Sequence, residues 1–95
     1  MIAIIARLSV QAGKETDFEA AMAELAAAVR KNEAGCKLYQ LCKTNVAGKY
    51  VMLERYETQE AFGVHGQTEY FRASLPKWGM MLAGRPEIEI LTELD

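Results

Sequence analysis

The sequence predicts an α+β domain in which four antiparallel strands form one layer and helices the other, in the order β-α-β-β-α-β. Three observations predict it. The first and last segments repeat apolar residues at every second position, helical spacing separates them from the middle of the chain, and a short connection containing Asn and Gly joins two central strands. With 95 residues, 51% of them hydrophobic and 25% charged, the chain suits one domain spanning 1–95, and no tract is biased enough to stay unfolded.

Residues 1–10 place Ile2, Ile4, Ala6, Leu8 and Val10 on one face, with Arg7 and Ser9 on the other, which is a strand pattern. After Gln11-Ala12-Gly13 the spacing becomes helical. Phe18, Met22, Leu25 and Val29 recur on one side with Ala21 and Ala28 between them, and Glu15, Asp17 and Glu19 suit the first turns. Arg30 and Lys31 close this helix before Asn32 and Gly35. Residues 36–44 and 50–56 read as two strands of a hairpin around 45–49. Thr58 can cap a short helix to about His65. A further helix begins at Gln67 or Thr68, is interrupted or restarted by Pro76, and reaches about Ala83 before Gly84 stops it. In residues 86–94, Ile88, Ile90, Thr92 and Leu94 alternate with Glu87, Glu89, Leu91 and Glu93, an edge-like strand with three carboxylates on one side.

The two halves, 1–46 and 47–95, give the split βαβ or ferredoxin-like pattern, with helices on one face of the sheet. Alternation predicts the sides of its strands. In the second strand Cys36, Leu38 and Cys42 oppose Tyr39 and Leu41; in the third, Val51 and Leu53 oppose Tyr50, Met52 and Tyr56. Neither strand has a fully polar side, so the second face also needs a cover. A second copy of the same sheet supplies it most simply, which predicts a two-fold homodimer packed sheet to sheet.

Composition excludes several functions. A net charge of -2 without any Lys/Arg cluster argues against a nucleic-acid partner. The longest apolar run, residues 1–6, ends at Arg7, too short for a membrane span or a secretory signal. Cys36 and Cys42, about 20 Å apart if they share one strand, are expected to be free thiols, which points to a reducing, cytoplasmic compartment. The GxSxG, GxxxxGK[ST] and GxGxxG motifs are absent, and a lone histidine with two thiols makes a poor zinc site, so no metal or nucleotide cofactor is expected.

Chemistry must then come from acid-base groups and pocket shape. His65, the sole histidine, either caps carbonyls at a helix end or reaches a pocket as a general base. Glu54 either pairs with Arg7 or Arg55, or orients His65 or holds substrate. Phe71 and Met81 read as core. Tyr70 and Trp78 carry polar tips that can point into an apolar cavity. Arg72, Lys77 and Arg85 are either solvated or gathered around an anionic substrate tail.

The blocks Glu33-x-Gly35-Cys36-x-x-Tyr39, Glu54-x-Tyr56-x-x-x-Glu60-Ala61-x-x-x-His65 and Tyr70-Phe71 together resemble the antibiotic biosynthesis monooxygenase (ABM) domain, including its quinol-monooxygenase-like group. The similarity covers nearly the whole chain. It departs at Tyr70, where the family often has a second histidine, and the Asn and Trp pattern of the heme-degrading branch is not evident. The resemblance implies a ferredoxin-like domain that dimerises into an α+β barrel, with a pocket between each sheet and its own helices. It implies an oxidoreductase that joins O2 to a small hydroxyaromatic without a cofactor, His65 removing the substrate proton. The candidate catalytic residues are His65 and Tyr70; the candidate substrate-binding residues are Glu54, Trp78, Tyr39, Phe62 and Arg72. Relatives that process autoinducer-2 suggest a second reaction, proton abstraction on a small phosphorylated diketone, and a third possibility is a dimer that only binds a small apolar ligand.

Overall fold

A computed structural model of the chain describes residues 1–94. Its elements are β1 (Ile2–Ser9), α1 (Glu15–Asn32), β2 (Cys36–Lys43), β3 (Lys49–Tyr56), α2 (Gln59–Gln67), α3 (Glu69–Gly79) and β4 (Glu87–Thr92). The strands form one antiparallel sheet in the order β2-β3-β1-β4, the ferredoxin-like arrangement, with the acidic β4 at one edge. No helix among the described residues is long and apolar enough to cross a membrane.

Period-2 alternation sorts the sheet residues as expected on β1 and β3. Ile4, Ala6, Leu8 and Val10 are buried toward the helices, where they join Tyr50, Met52 and Tyr56 from β3. Phe18, Met22, Leu25 and Val29 of α1 pack onto them from above. On the reverse face the register sets Ile5 beside Leu53, and Val51 beside Cys42. Charge rims that face: Arg7 pairs with Glu89 at 3.1 Å and Arg55 with Glu93 at 2.8 Å.

Two expectations need correction. A β-bulge lies between Cys36 and Leu38, so that Cys36 stands opposite Tyr56 while Leu38 stands opposite Arg55. The extra residue turns Cys36 toward the helices, on the face opposite to Leu38 and Cys42, whereas strict alternation puts all three together. Both thiols are free.

The second helical region also differs. Pro76 does not interrupt it but lies within α3, which stops at Gly79 rather than near Ala83. Pro76 and Arg72, whose carbonyl loses its helical partner, are both exposed, so water can satisfy that group. Past Gly79 the chain is taken over by β1: Ala83 N–H donates to Ser9 O at 2.7 Å, and Gln11 N–H to Met81 O at 2.9 Å. The hairpin between β2 and β3 turns through Gly48 at φ +78°, the left-handed region that favours glycine.

Candidate active site

The helices α2 and α3 are separated by one residue that serves both. Thr68 Oγ1 donates to His65 O at 2.8 Å and accepts from Phe71 N–H at 3.4 Å, while Thr58 caps the start of α2 through Ala61 N–H at 3.0 Å. This short, doubly capped helix carries Phe62 and His65 on one face, three positions apart. His65 is 4% exposed. Its ring is packed among Phe71, Tyr39 and Tyr56, at centroid separations of 4.7, 5.1 and 5.8 Å.

The imidazole is also anchored. Nδ1 lies 3.2 and 3.1 Å from the two carboxylate oxygens of Glu33, the residue just beyond α1. Tyr70 OH donates to the same carboxylate. A carboxylate that already accepts from a phenol takes Nδ1–H as a second donor, which fixes the tautomer and leaves Nε2 as the acceptor. Burial and this hydrogen bond push the Tyr70 hydroxyl up to about 12.

His65 lines a cavity of about 540 Å³ between the helices and the sheet. Ile4, Ala6, Leu8 and Met52 line it from the sheet, and Phe71 and Leu75 from α3, with the exposed Leu75 at its open side. Of the residues expected from sequence, His65, Glu54, Tyr39, Phe62 and Trp78 line it together. Tyr70 and Arg72 do not. The Tyr70 hydroxyl is turned away toward Glu33, and Arg72 is exposed on α3. Trp78 is present as a wall, but its indole N–H donates to Ser74 Oγ at 3.2 Å, so it is not a free donor. Lys77 and Arg85 are also absent from the lining, and Lys77 stands 3.8 Å from Glu24.

Glu54 is 7% exposed, and neither arginine considered for it reaches it, because both project from the opposite face of the sheet. Its partner is Tyr56, whose OH donates to Oε1 at 2.6 Å. Burial pushes the carboxyl above its ordinary value, against the opposing pull of the Tyr56 hydrogen bond and of nearby His65. Tyr39 is the direct cross-strand neighbour of Glu54, and burial raises its hydroxyl too. No side-chain N or O atom among the described residues is both fully buried and unpartnered. His65 Nε2, Glu54 Oε2 and the Tyr39 hydroxyl make no protein hydrogen bond among those residues, so each remains accessible on a side chain that lines the cavity.

The sequence alone assigns no role to Glu33, although it stands in the family block. One physical signal was available. A negative charge at the C-terminal end of a helix opposes the macrodipole, so an acid immediately past α1 calls for a partner elsewhere.

The antibiotic biosynthesis monooxygenase family matches residues 1–77. This chain belongs to that family. Among solved structures, an ABM-type protein from Caulobacter crescentus, provisionally so named, is 40% identical with a TM-score of 0.96, covering 99% of this chain and 90% of its own. A protein from Pseudomonas aeruginosa is 25% identical with a TM-score of 0.86, over 99% of this chain and 94% of that one. A protein from Mycobacterium tuberculosis, 24% identical, shares the ABM fold at a TM-score of 0.90 over 99% and 95% of the two chains. No curated protein matches the chain.

Proposed function

We propose that this ABM-family protein is a cofactor-independent monooxygenase that oxidises a small, uncharged hydroxyaromatic with O2. The observation that carries this reading is the accessible Nε2 of His65, on the wall of an apolar cavity, with Nδ1 held by Glu33. An electron-rich phenol needs no redox cofactor once it is deprotonated, because the phenolate itself reduces oxygen. His65 takes the hydroxyl proton. Phe62, Trp78 and Tyr39 line the space that would take the ring, and substrate filling this apolar cavity would displace water and strengthen every polar contact made there. Tyr70 contributes from behind by holding Glu33, and so acts as a positioning residue.

The phosphorylated-diketone reading requires an anion clamp. Arg72, Lys77 and Arg85 lie outside the lining, which among the described residues holds no lysine or arginine to receive a phosphate. The reverse sheet face, with Ile5, Val51, Leu53 and Leu38 inside a charged rim, suits a second copy of the sheet, and the working protein in this reading is a homodimer.

Oxygen uptake with naphthols, polyphenols and phosphorylated diketones, paired with product analysis of the phosphorylated compounds, tests the proposal. Uptake with neutral hydroxyaromatics and none with the phosphorylated compounds is expected. Turnover of the phosphorylated substrates alone, or no uptake with any compound, overturns it.

A further inference from the structure

The proposed proton abstraction uses one of the three accessible polar atoms in the cavity and leaves Glu54 unassigned. Its surroundings constrain what it can be. Oε1 is committed to Tyr56 OH at 2.6 Å, and Oε2 has no protein partner among the described residues. From its own strand it meets Tyr56, and from β2 the hydroxyl-bearing Tyr39; its register partner on β1 is Ile4. Nearby His65 on α2 favours the ionised form, while Glu33 beyond α1 opposes it. Arg7 and Arg55 are engaged with Glu89 and Glu93 on the far side of the sheet. An acid that is 7% exposed, without an arginine or lysine beside it, is best kept in its neutral O–H form. Only His65 could answer its charge, and a histidine that serves as the base starts neutral.

We infer that Glu54 is a second catalytic group, an acid that protonates the peroxide formed from O2 and then, as the carboxylate, removes the ring proton. The inference rests on the monooxygenase reading. Each step balances. His65 Nε2 takes the substrate hydroxyl proton, the phenolate passes one electron to O2, and the radical pair joins at a ring carbon that still bears hydrogen. That makes a C–O bond and leaves the negative charge on the distal oxygen. Glu54 protonates this oxygen. The Glu54 carboxylate then takes the proton from the same ring carbon, the C–H electron pair becomes the second C–O bond, and the O–O bond breaks. The departing hydroxide collects the proton stored on His65 and leaves as water. One oxygen atom ends in the quinone and one in water, and both side chains return to their starting forms. Tyr39, beside Glu54 on the sheet floor, can donate to the peroxide while the proton moves.

Glu54→Gln tests this because the amide keeps an acceptor for Tyr56 but cannot supply a proton. With α-naphthol as the probe, the wild type should form one quinone for each O2 consumed. In the variant, quinone formation should fall on the order of 10²-fold, and the stalled adduct should revert to the radical pair, which escapes as superoxide, dismutating to hydrogen peroxide and O2, and as naphthoxyl radicals that couple to dimers. Glu54→Asp, which restores a carboxyl, should recover part of the coupling. An independent arm needs no turnover: infrared difference spectra between wild type and Glu54→Gln at neutral pH should show the C=O stretch of a protonated carboxyl. Coupling and rate unchanged in Glu54→Gln overturn the inference, as does absence of that band. If the band is present but the wild type consumes no oxygen with any hydroxyaromatic, the monooxygenase reading fails, and Glu54 loses the catalytic role with it.

Discussion

Glu33 and His65 are 32 residues apart in sequence, yet the carboxylate of one lies 3.1 Å from Nδ1 of the other, with Tyr70 OH donating to the same carboxylate. The contact ties the end of α1 to the last turn of α2 and sets which imidazole nitrogen faces the cavity. Glu33→Gln should therefore act on chemistry more than on binding. Its amide can donate to Nδ1 and favour the wrong tautomer, so kcat should fall by about 10² to 10⁴ with KM moving far less. Steady-state oxygen uptake measures both constants. A rise in KM at constant kcat would instead make Glu33 a binding residue.

Gly35 is required by a close approach rather than by its backbone angle. A Cβ at this position would lie 2.9 Å from the Ala61 Cβ, where the strand entry meets α2, the helix that carries His65. Gly35→Ala should cost about 1 to 3 kcal/mol, because the Ala61 Cβ it meets is fixed to the α2 backbone rather than at the tip of a flexible side chain. Thermal unfolding should register that as a lower melting temperature, by about 4 to 8 °C per kcal/mol for a domain of this size. An unchanged melting temperature would mean that the packing here is looser than described.

The raised Glu54 carboxyl links stability to pH. Burial disfavours its charge, so the folded protein keeps the Glu54 proton above the ordinary value of 4.5, where the unfolded chain has already released it. Between those two values the native state binds more protons, and stability falls as pH rises. Glu54→Gln has no proton to lose. Melting temperatures followed from about pH 4 to about pH 7 should show the variant gaining on the wild type as pH increases. Parallel curves would show that Glu54 ionises as freely in the fold as outside it.

The reverse face of the sheet yields a prediction about assembly. Leu53 sits beside Ile5 at the centre of that face. Leu53→Glu would bury a charge in a sheet-to-sheet dimer but costs little in a monomer. At a concentration where the wild type sediments as a dimer, the variant should sediment as a monomer. A monomeric wild type would remove the dimer from the proposed function.

Much of this fold is legible because period-2 and period-3.6 patterns are undiluted in β1, α1 and β4. The ends of elements are less legible. Nothing in the spacing of residues 36–42 announces the bulge that reverses Cys36, since a bulge is set by which partner residues the strand meets. The end of α3 is likewise decided by Val10 and Ser9, seventy residues earlier, which offer Leu82 and Ala83 a bridge in place of another helical turn. At the site, the residue types gave His65, Glu54, Tyr39, Phe62 and Trp78, which the structure gathers around one cavity. They could not give the directions of the polar tips. Tyr70 and Trp78 each have a nearer partner, in Glu33 and Ser74, than anything the cavity offers.

The most direct test compares oxygen uptake by wild type and His65→Gln, with α-naphthol as substrate, in buffer treated with a metal chelator. With the imidazole as the base, the wild type should turn over in the chelator, and the variant should lose about 10² to 10⁴ in kcat while retaining its circular dichroism spectrum. Equal rates in the two proteins would contradict the assignment of His65.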